Sequence, residues 1–268
     1  MISIAAEPIF HLGSFAVTNS IFTGWIVLVV FVITGLFIRR RAAVTPQGFA
    51  HVVDTLVDFL LVEMEKITGN KTKARRFFPL VASLFFFILL SNWIGLLPGV
   101  GSIGVWAMHQ GERELIPLFR PATSDLNFTL AIAIISVVSM HIFGLLSIGF
   151  FNHFSKFFNF RGIVLSVKKG PMALVVALSE FFVGLLETIG EVAKTASLAL
   201  RLFGNVFAGE VLLTVIYSMV AYLIPLPFLF LEMMVGLIQA TVFAMLTVVF
   251  LSTMTTAHGG EEEHAAAH

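Results

Sequence analysis

Six charged side chains lie inside one apolar stretch of this chain, residues 172–218: Glu180, Glu187, Glu191, Lys194, Arg201 and Glu210. Glu180, Glu187, Lys194 and Arg201 follow one another at intervals of seven. Seven residues are nearly two helical turns, so each member drifts only about 20° around the axis and the four form one polar stripe. Asn205 sits one turn beyond Arg201 on the same face. Glu210, nine residues beyond Arg201, points to the opposite side of a straight helix, toward a second polar cavity. On the last apolar run Glu232 and Gln239 are again seven apart and share a face. A charge at the middle of a bilayer costs at least ~2.5–3.5 kcal/mol, so these groups must face protein or water. The pattern is that of a polar path leading to an arginine. Each member also has a structural alternative. Arg201 can be a packing cation paired with Glu187 or Glu191, and Lys194 can snorkel to the interface. Ser197 can be a helix contact, and Glu180 can sit idle near the inner interface. His141, a lone histidine in the third span, can be a hydrogen-bonded structural residue.

The surrounding composition sets the solvent. Of 268 residues, 58% are hydrophobic and only 12% charged. Soluble domains are usually ~45–50% apolar and ~25% charged, so a soluble enzyme is excluded and a polytopic membrane protein follows. Lys plus Arg and Asp plus Glu are 16 each, giving no basic field for nucleic acid. With no cysteine, disulfides, thiol catalysis and iron–sulfur sites are excluded.

Crossing the hydrocarbon core takes about 20 mostly apolar residues. Runs of that kind cover 21–38, 77–97 and 128–151. The stretch 172–218 has 47 residues without a proline, about 70 Å as one helix, so it must break at Gly190, Gly204 or Gly209 or lie steeply tilted. A final span covers 228–254, and 255–268 is a polar tail rich in His and Glu. Between the first two spans, residues 47–70 put His51, Asp54, Asp58 and Glu65 on one helical stripe. That reads as an amphipathic helix on the membrane surface; the alternative is a short span with buried acids. The whole is one all-α polytopic membrane domain, 1–268.

Positive charge sets the orientation. Residues 39–76 carry eight Lys or Arg and 156–169 carry four, whereas 99–124 carries only Arg113 and Arg120 and the first 38 residues carry none. The N-terminus is therefore expected outside and the C-terminus in the cytoplasm. Lacking a basic n-region, the N-terminus does not read as a cleaved signal peptide.

At this point the residues resemble a known family. Ser197-Leu-Ala-Leu-Arg201-Leu-Phe-Gly-Asn205-Val-Phe-Ala-Gly-Glu210 is similar to the signature helix of subunit a of rotary F-type ATP synthases. Val17-Thr-Asn-Ser-Ile-Phe, Ser91-Asn-Trp-Ile-Gly-Leu-Leu-Pro98, Pro121-Ala-Thr-Ser-Asp125-Leu-Asn127 and Leu237-Ile-Gln239-Ala-Thr-Val-Phe-Ala-Met-Leu-Thr resemble bacterial members. The resemblance misses mainly the extreme N-terminus and the tail after Thr256. It implies a fold in which the last two helices form a long, strongly tilted hairpin against a rotating ring of small proteolipid c subunits. It implies further partners: peripheral-stalk b subunits, and through the stalks the catalytic ATPase sector. It implies a proton-translocating stator with two offset half-channels, in the bacterial plasma (inner) membrane. This chain would carry no catalytic site, cofactor or metal of its own.

The resemblance also implies roles. Arg201 matches the essential arginine that faces the ring and separates the half-channels. Asn205, Glu210, Glu232 and Gln239 match positions on the outer proton path. Glu187, and with it Lys194 and Ser197, matches the inner side. In some relatives a histidine stands at the place of Glu210 or Glu232. If the two glutamates here approach each other, they would share a proton.

Three rival classes are weaker. A secondary transporter usually shows paired inverted repeats, and there is no second arginine helix. A membrane enzyme lacks support, since no HExxH, GxSxG or Walker A pattern occurs. A plain anchor leaves the charges in the apolar core unexplained.

Overall fold

The computed structural model describes residues 6–13, 15–40, 48–97, 103–109, 112–150, 153, 171–219 and 223–255. A short hairpin, β1 (Pro8–Leu12) and β2 (Phe15–Thr18), leads directly into helix α1 (Asn19–Arg40). Then come α2 (Phe49–Thr68), α3 (Lys71–Ile94), a second hairpin of β3 (Gly104–His109) and β4 (Glu112–Pro117), a 3-10 turn at Ala122–Ser124, and α4 (Leu126–Ile148). The chain closes with α5 (Pro171–Met219) and α6 (Pro225–Thr255). Helices α1, α3, α4, α5 and α6 are each long and apolar enough to cross a membrane. The protein is a multi-pass, all-α membrane protein with two small antiparallel hairpins added at the surface.

The hairpins were not expected from the sequence. They lie where apolar periodicity is too short to read, and Gly13 at φ 65° supplies the turn of the first. Both sit at the same end of the bundle, because the Asn19 side chain at the start of α1 donates to the Pro117 carbonyl at the end of β4 at 3.4 Å.

Helix α5 is one continuous helix of 49 residues, so the candidate breaks at Gly190, Gly204 and Gly209 do not occur. At 1.5 Å per residue it is about 74 Å long. Helix α3 begins six residues before its apolar run. Asn70 caps it, accepting from the Thr72 and Lys73 amides at 2.8 and 3.2 Å, so the basic cluster Lys71–Arg76 forms its first turns. Pro225 and Pro227 open α6, where their missing N–H groups cost nothing.

The core lies between α3, α4, α5 and α6. Phe77, Phe85 and Ile88 of α3 and Met140 of α4 meet Leu198 and Leu202 of α5 and Phe243, Val248 and Leu251 of α6. Inside it Ser136 of α4 and Thr247 of α6 share a hydrogen bond of 3.0 Å. Helix α2 presses Leu60 and Met64, one turn apart, onto this core while His51, Asp54 and Asp58 stay exposed. This is the two-faced arrangement that the stripe implies. The tail 256–268 and the loop 154–170 lie outside the described residues.

Candidate functional site

Helices α5 and α6 run antiparallel, which sets their polar residues at matching levels. Nearest the turn, the carboxylate of Glu232 on α6 lies directly against Gly209 on α5. Any side chain at Gly209 would occupy the space the carboxylate uses. One level deeper, Asn205 Nδ2 donates to Gln239 Oε1 at 2.6 Å. Gln239 is buried, and its Nε2 has no partner among the described residues. Deeper still, an open hollow of about 280 Å³ is lined by Gly190, Ala193, Lys194, Ser197, Leu198 and Arg201 of α5 and by Leu246 and Phe250 of α6.

Glu210 turns away from α6, as the helical angle requires, and meets Arg120, which in the sequence is only a loop charge. Arg120 Nε lies 3.2 Å from both oxygens of the Glu210 carboxylate and 2.9 Å from Ser124 Oγ. The Arg120 side chain is only 5% exposed. Its backbone amide donates to Thr23 Oγ1 of α1 at 3.2 Å. The neighbouring Thr123 hydroxyl donates to Asn92 Oδ1 of α3 at 2.7 Å, and Asn92 Nδ2 reaches the Gly236 carbonyl of α6 at 3.3 Å. The end of the 99–124 loop is thus a strap that ties α1, α3, α5 and α6 together, with a buried guanidinium at its centre. Its proximity to the Pro121–Asn127 motif was the available signal for Arg120.

The two glutamates therefore differ. Glu210 is bonded to Arg120, while Glu232 rests against Gly209, and among the described residues no hydrogen bond joins them. Arg201 is exposed, and its guanidinium has no hydrogen bond or ion pair among the described residues. The alternative of a packing cation held by Glu187 or Glu191 does not occur. Glu191 instead accepts from Lys194 Nζ at 2.8 Å. Lys194 sits 5.4 Å from the centroid of the Phe250 ring, a cation–π contact. Ser197 is exposed and lines the hollow beside Arg201. Glu187 is half-buried, stands outside the lining of the hollow and has no polar partner among the described residues. His141 is not alone: its Nδ1 lies 3.2 Å from His153 Nε2.

Residues 21–252 match the model of the family described as ATP synthase A chain. The chain belongs to the ATP synthase subunit a family. ATP synthase subunit a of Moorella thermoacetica is 30% identical over 259 residues, covering 96% of this chain and 100% of that protein. Those of Trichlorobacter lovleyi and Geobacter sulfurreducens are 30% identical over 250 and 245 residues, covering 93% and 91% of this chain and 92% and 90% of theirs. Family membership places this chain among the membrane subunits of ATP synthase. It also joins the chain to a multisubunit complex, so side chains left without partners here are candidates for contacts with other subunits.

Proposed function

We propose that this chain is the stationary ion-path subunit of a proton-translocating F-type ATP synthase. It works against a rotating ring of small proteolipid c subunits and is held by peripheral-stalk b subunits to the catalytic ATPase sector. It sits in a bacterial inner membrane with the N-terminus outside and the C-terminus in the cytoplasm, as the distribution of Lys and Arg supports. In that frame the turn of the α5–α6 hairpin is outer and its opposite end is inner.

The observation that carries this reading is Arg201, an unpaired, exposed guanidinium at mid-length of α5, flanked by two different polar regions. An exposed cation cannot face lipid without a large penalty. A ring carboxylate is the counter-charge that the family role supplies. Arginine does not release its proton, so it acts as a fixed charge and not as a relay. Facing a ring carboxylate at ~4 Å, with an effective dielectric near 20, it attracts the ionised form by about 4 kcal/mol. That drives the proton off the carboxylate and into the inner path. The same charge blocks direct passage of protons between the two paths.

On the outer side Glu232, Asn205, Gln239 and Glu210 form the entry path. Protons reach the ring past Gln239, whose buried amide is bonded to Asn205. Glu210, tied to Arg120, is the fixed member of this set, and Glu232, held only by contact with Gly209, is the free one. On the inner side Ser197 and Lys194 line the hollow, and Glu187 lies beyond it along α5, toward the inner water. The deciding experiment is ATP-driven proton pumping by the whole complex in proteoliposomes, wild type against Arg201→Ala, with assembly followed by copurification. Pumping is expected to vanish while the complex still assembles. Coupled pumping at near wild-type rate in R201A would overturn the reading.

A further inference from the structure

The inner side holds a carboxylate that the family resemblance did not single out. Glu191 is only 6% exposed. Its Oε1 accepts from Lys194 Nζ at 2.8 Å, but its Oε2 is buried with no partner among the described residues. A buried carboxylate is tolerated when it is paired and both its oxygens are bonded. Leaving one oxygen bare costs the desolvation of that group. A purely structural ion pair would close both oxygens or lie at the surface, where water does so. This one does neither.

The pair also has an outlet. The Lys194 side chain is 38% exposed, and it lines the hollow that contains Ser197 and Arg201. At about 280 Å³ the hollow has room for several waters, each occupying roughly 30 Å³ in the liquid. Along α5, Lys194 is about 10 Å from Arg201 and Glu191 about 15 Å. Glu191 is therefore out of reach of Arg201 but joined to its hollow by a cation on a flexible stem. Glu187 is one turn further from Arg201, is half-buried and does not line the hollow.

We propose that Glu191, gated by Lys194, is the proton-accepting station on the inner side of Arg201, the position that the resemblance gives to Glu187. This rests on the function proposed above. A proton displaced from the ring carboxylate enters the hollow and adds to the Glu191 carboxylate as the Lys194 ammonium swings away. It leaves toward the inner water when Lys194 returns. Lys194 keeps its own protons throughout. Other titratable or charged groups on the elements packed against α5 are few among the described residues. Helix α4 brings His141, bonded to His153, α6 brings Glu232, and the strap brings Arg120 and Asp125. Glu232, Arg120 and Asp125 all lie at the turn end. None of these replaces Lys194 as the partner of Glu191.

The test is ATP-driven pumping by the intact complex in proteoliposomes, with pH varied on the ATPase side. Glu191→Gln is expected to assemble, to pump roughly tenfold or more slowly, and to lose the wild-type response to that pH. Glu191→Asp should recover part of both. Wild-type pumping in E191Q, or slow pumping with an unchanged pH profile, overturns the proposal. If E191Q does not assemble, the double variant Glu191→Gln with Lys194→Gln is read instead, because it leaves no unpaired charge. Assembly with slow, pH-flat pumping then supports the relay. Assembly with wild-type pumping, or no assembly, makes the pair a structural tie and overturns it. Arg201→Ala run alongside separates the levels: if R201A pumps, the function proposed for the chain fails, and if R201A is dead while E191Q is normal, only the Glu191 station fails.

Discussion

The two ends of the α5–α6 hairpin are built on opposite principles. At the turn end, most polar groups are closed within the chain: Glu210 on Arg120, Arg120 on Ser124, Asn205 on Gln239, and Thr123 on Asn92, while Glu232 and the Gln239 Nε2 have no bonded partner among the described residues. From the middle of α5 toward the other end, Arg201 has no partner among the described residues, Ser197 is exposed, and Glu191 has one oxygen bonded and one bare. A region that satisfies most of its own polar groups has its geometry largely fixed before any partner arrives. A region that leaves a guanidinium bare in an apolar belt is complete only against something else. On the proposed reading the first is an entry path that must hold its shape while the ring turns, and the second is the surface past which the ring turns.

This contrast predicts different failures for substitutions at the two ends. The largest effect on the chain itself belongs to the strap. Arg120→Leu leaves the Glu210 carboxylate partly buried without its cation, and breaking a buried pair from one side costs about 3–5 kcal/mol. Yield and thermal stability of the assembled complex should fall sharply. Adding Glu210→Gln to R120L removes the stranded charge and should restore much of that loss. If R120L is as stable as wild type, the turn end is not self-closed and the contrast collapses.

Gly209→Ala should have an intermediate effect of a different kind. The new methyl occupies the position of the Glu232 carboxylate, which is the end of a flexible side chain and can move. Stability should change by less than about 1 kcal/mol, within the range of most tolerated substitutions. Transport should suffer, because the one outer-path carboxylate without a bonded partner is displaced. The check is pumping rate against complex yield in the same preparation: G209A should lower the first and spare the second. Adding Glu232→Asp, which is shorter by one methylene, should return part of the rate.

How much of this was legible in the sequence differs between the ends. The five long apolar helices follow from hydropathy, because lipid demands about 20 apolar residues in a row. The helical face shared by Lys194, Ser197 and Arg201 follows from periodicity, and the three do line one hollow. The strap was not legible. Arg120 reaches Glu210 across 90 residues of chain, and no local pattern encodes a contact between a loop and a helix at that separation. The β hairpins were missed for a related reason, since their pairing is set by strands too short to show alternation. Glu191 was visible as a charge, but its burial was not. It lies four residues from Glu187 on nearly the same face, and only the packing around α5 separates a buried carboxylate from a half-exposed one.

The smallest effect on the chain is the sharpest test of what the open face is for. A methyl added at Gly204, one turn from Arg201, would meet nothing within 4 Å in this chain. Alanine is also the better helix former by about 1 kcal/mol. If α5 faced lipid there, Gly204→Ala would be neutral or mildly stabilising, with pumping unchanged. If a ring helix passes close by, the methyl intrudes on an approach that glycine permits. The expected result is an assembled complex of normal stability whose coupled pumping is reduced, with Gly204→Leu worse than Gly204→Ala. A graded loss of transport without loss of the complex places the moving partner on this face. Normal pumping in G204L would move the ring contact away from Gly204, and the ring-facing role of Arg201 would have to be argued from a different side of α5.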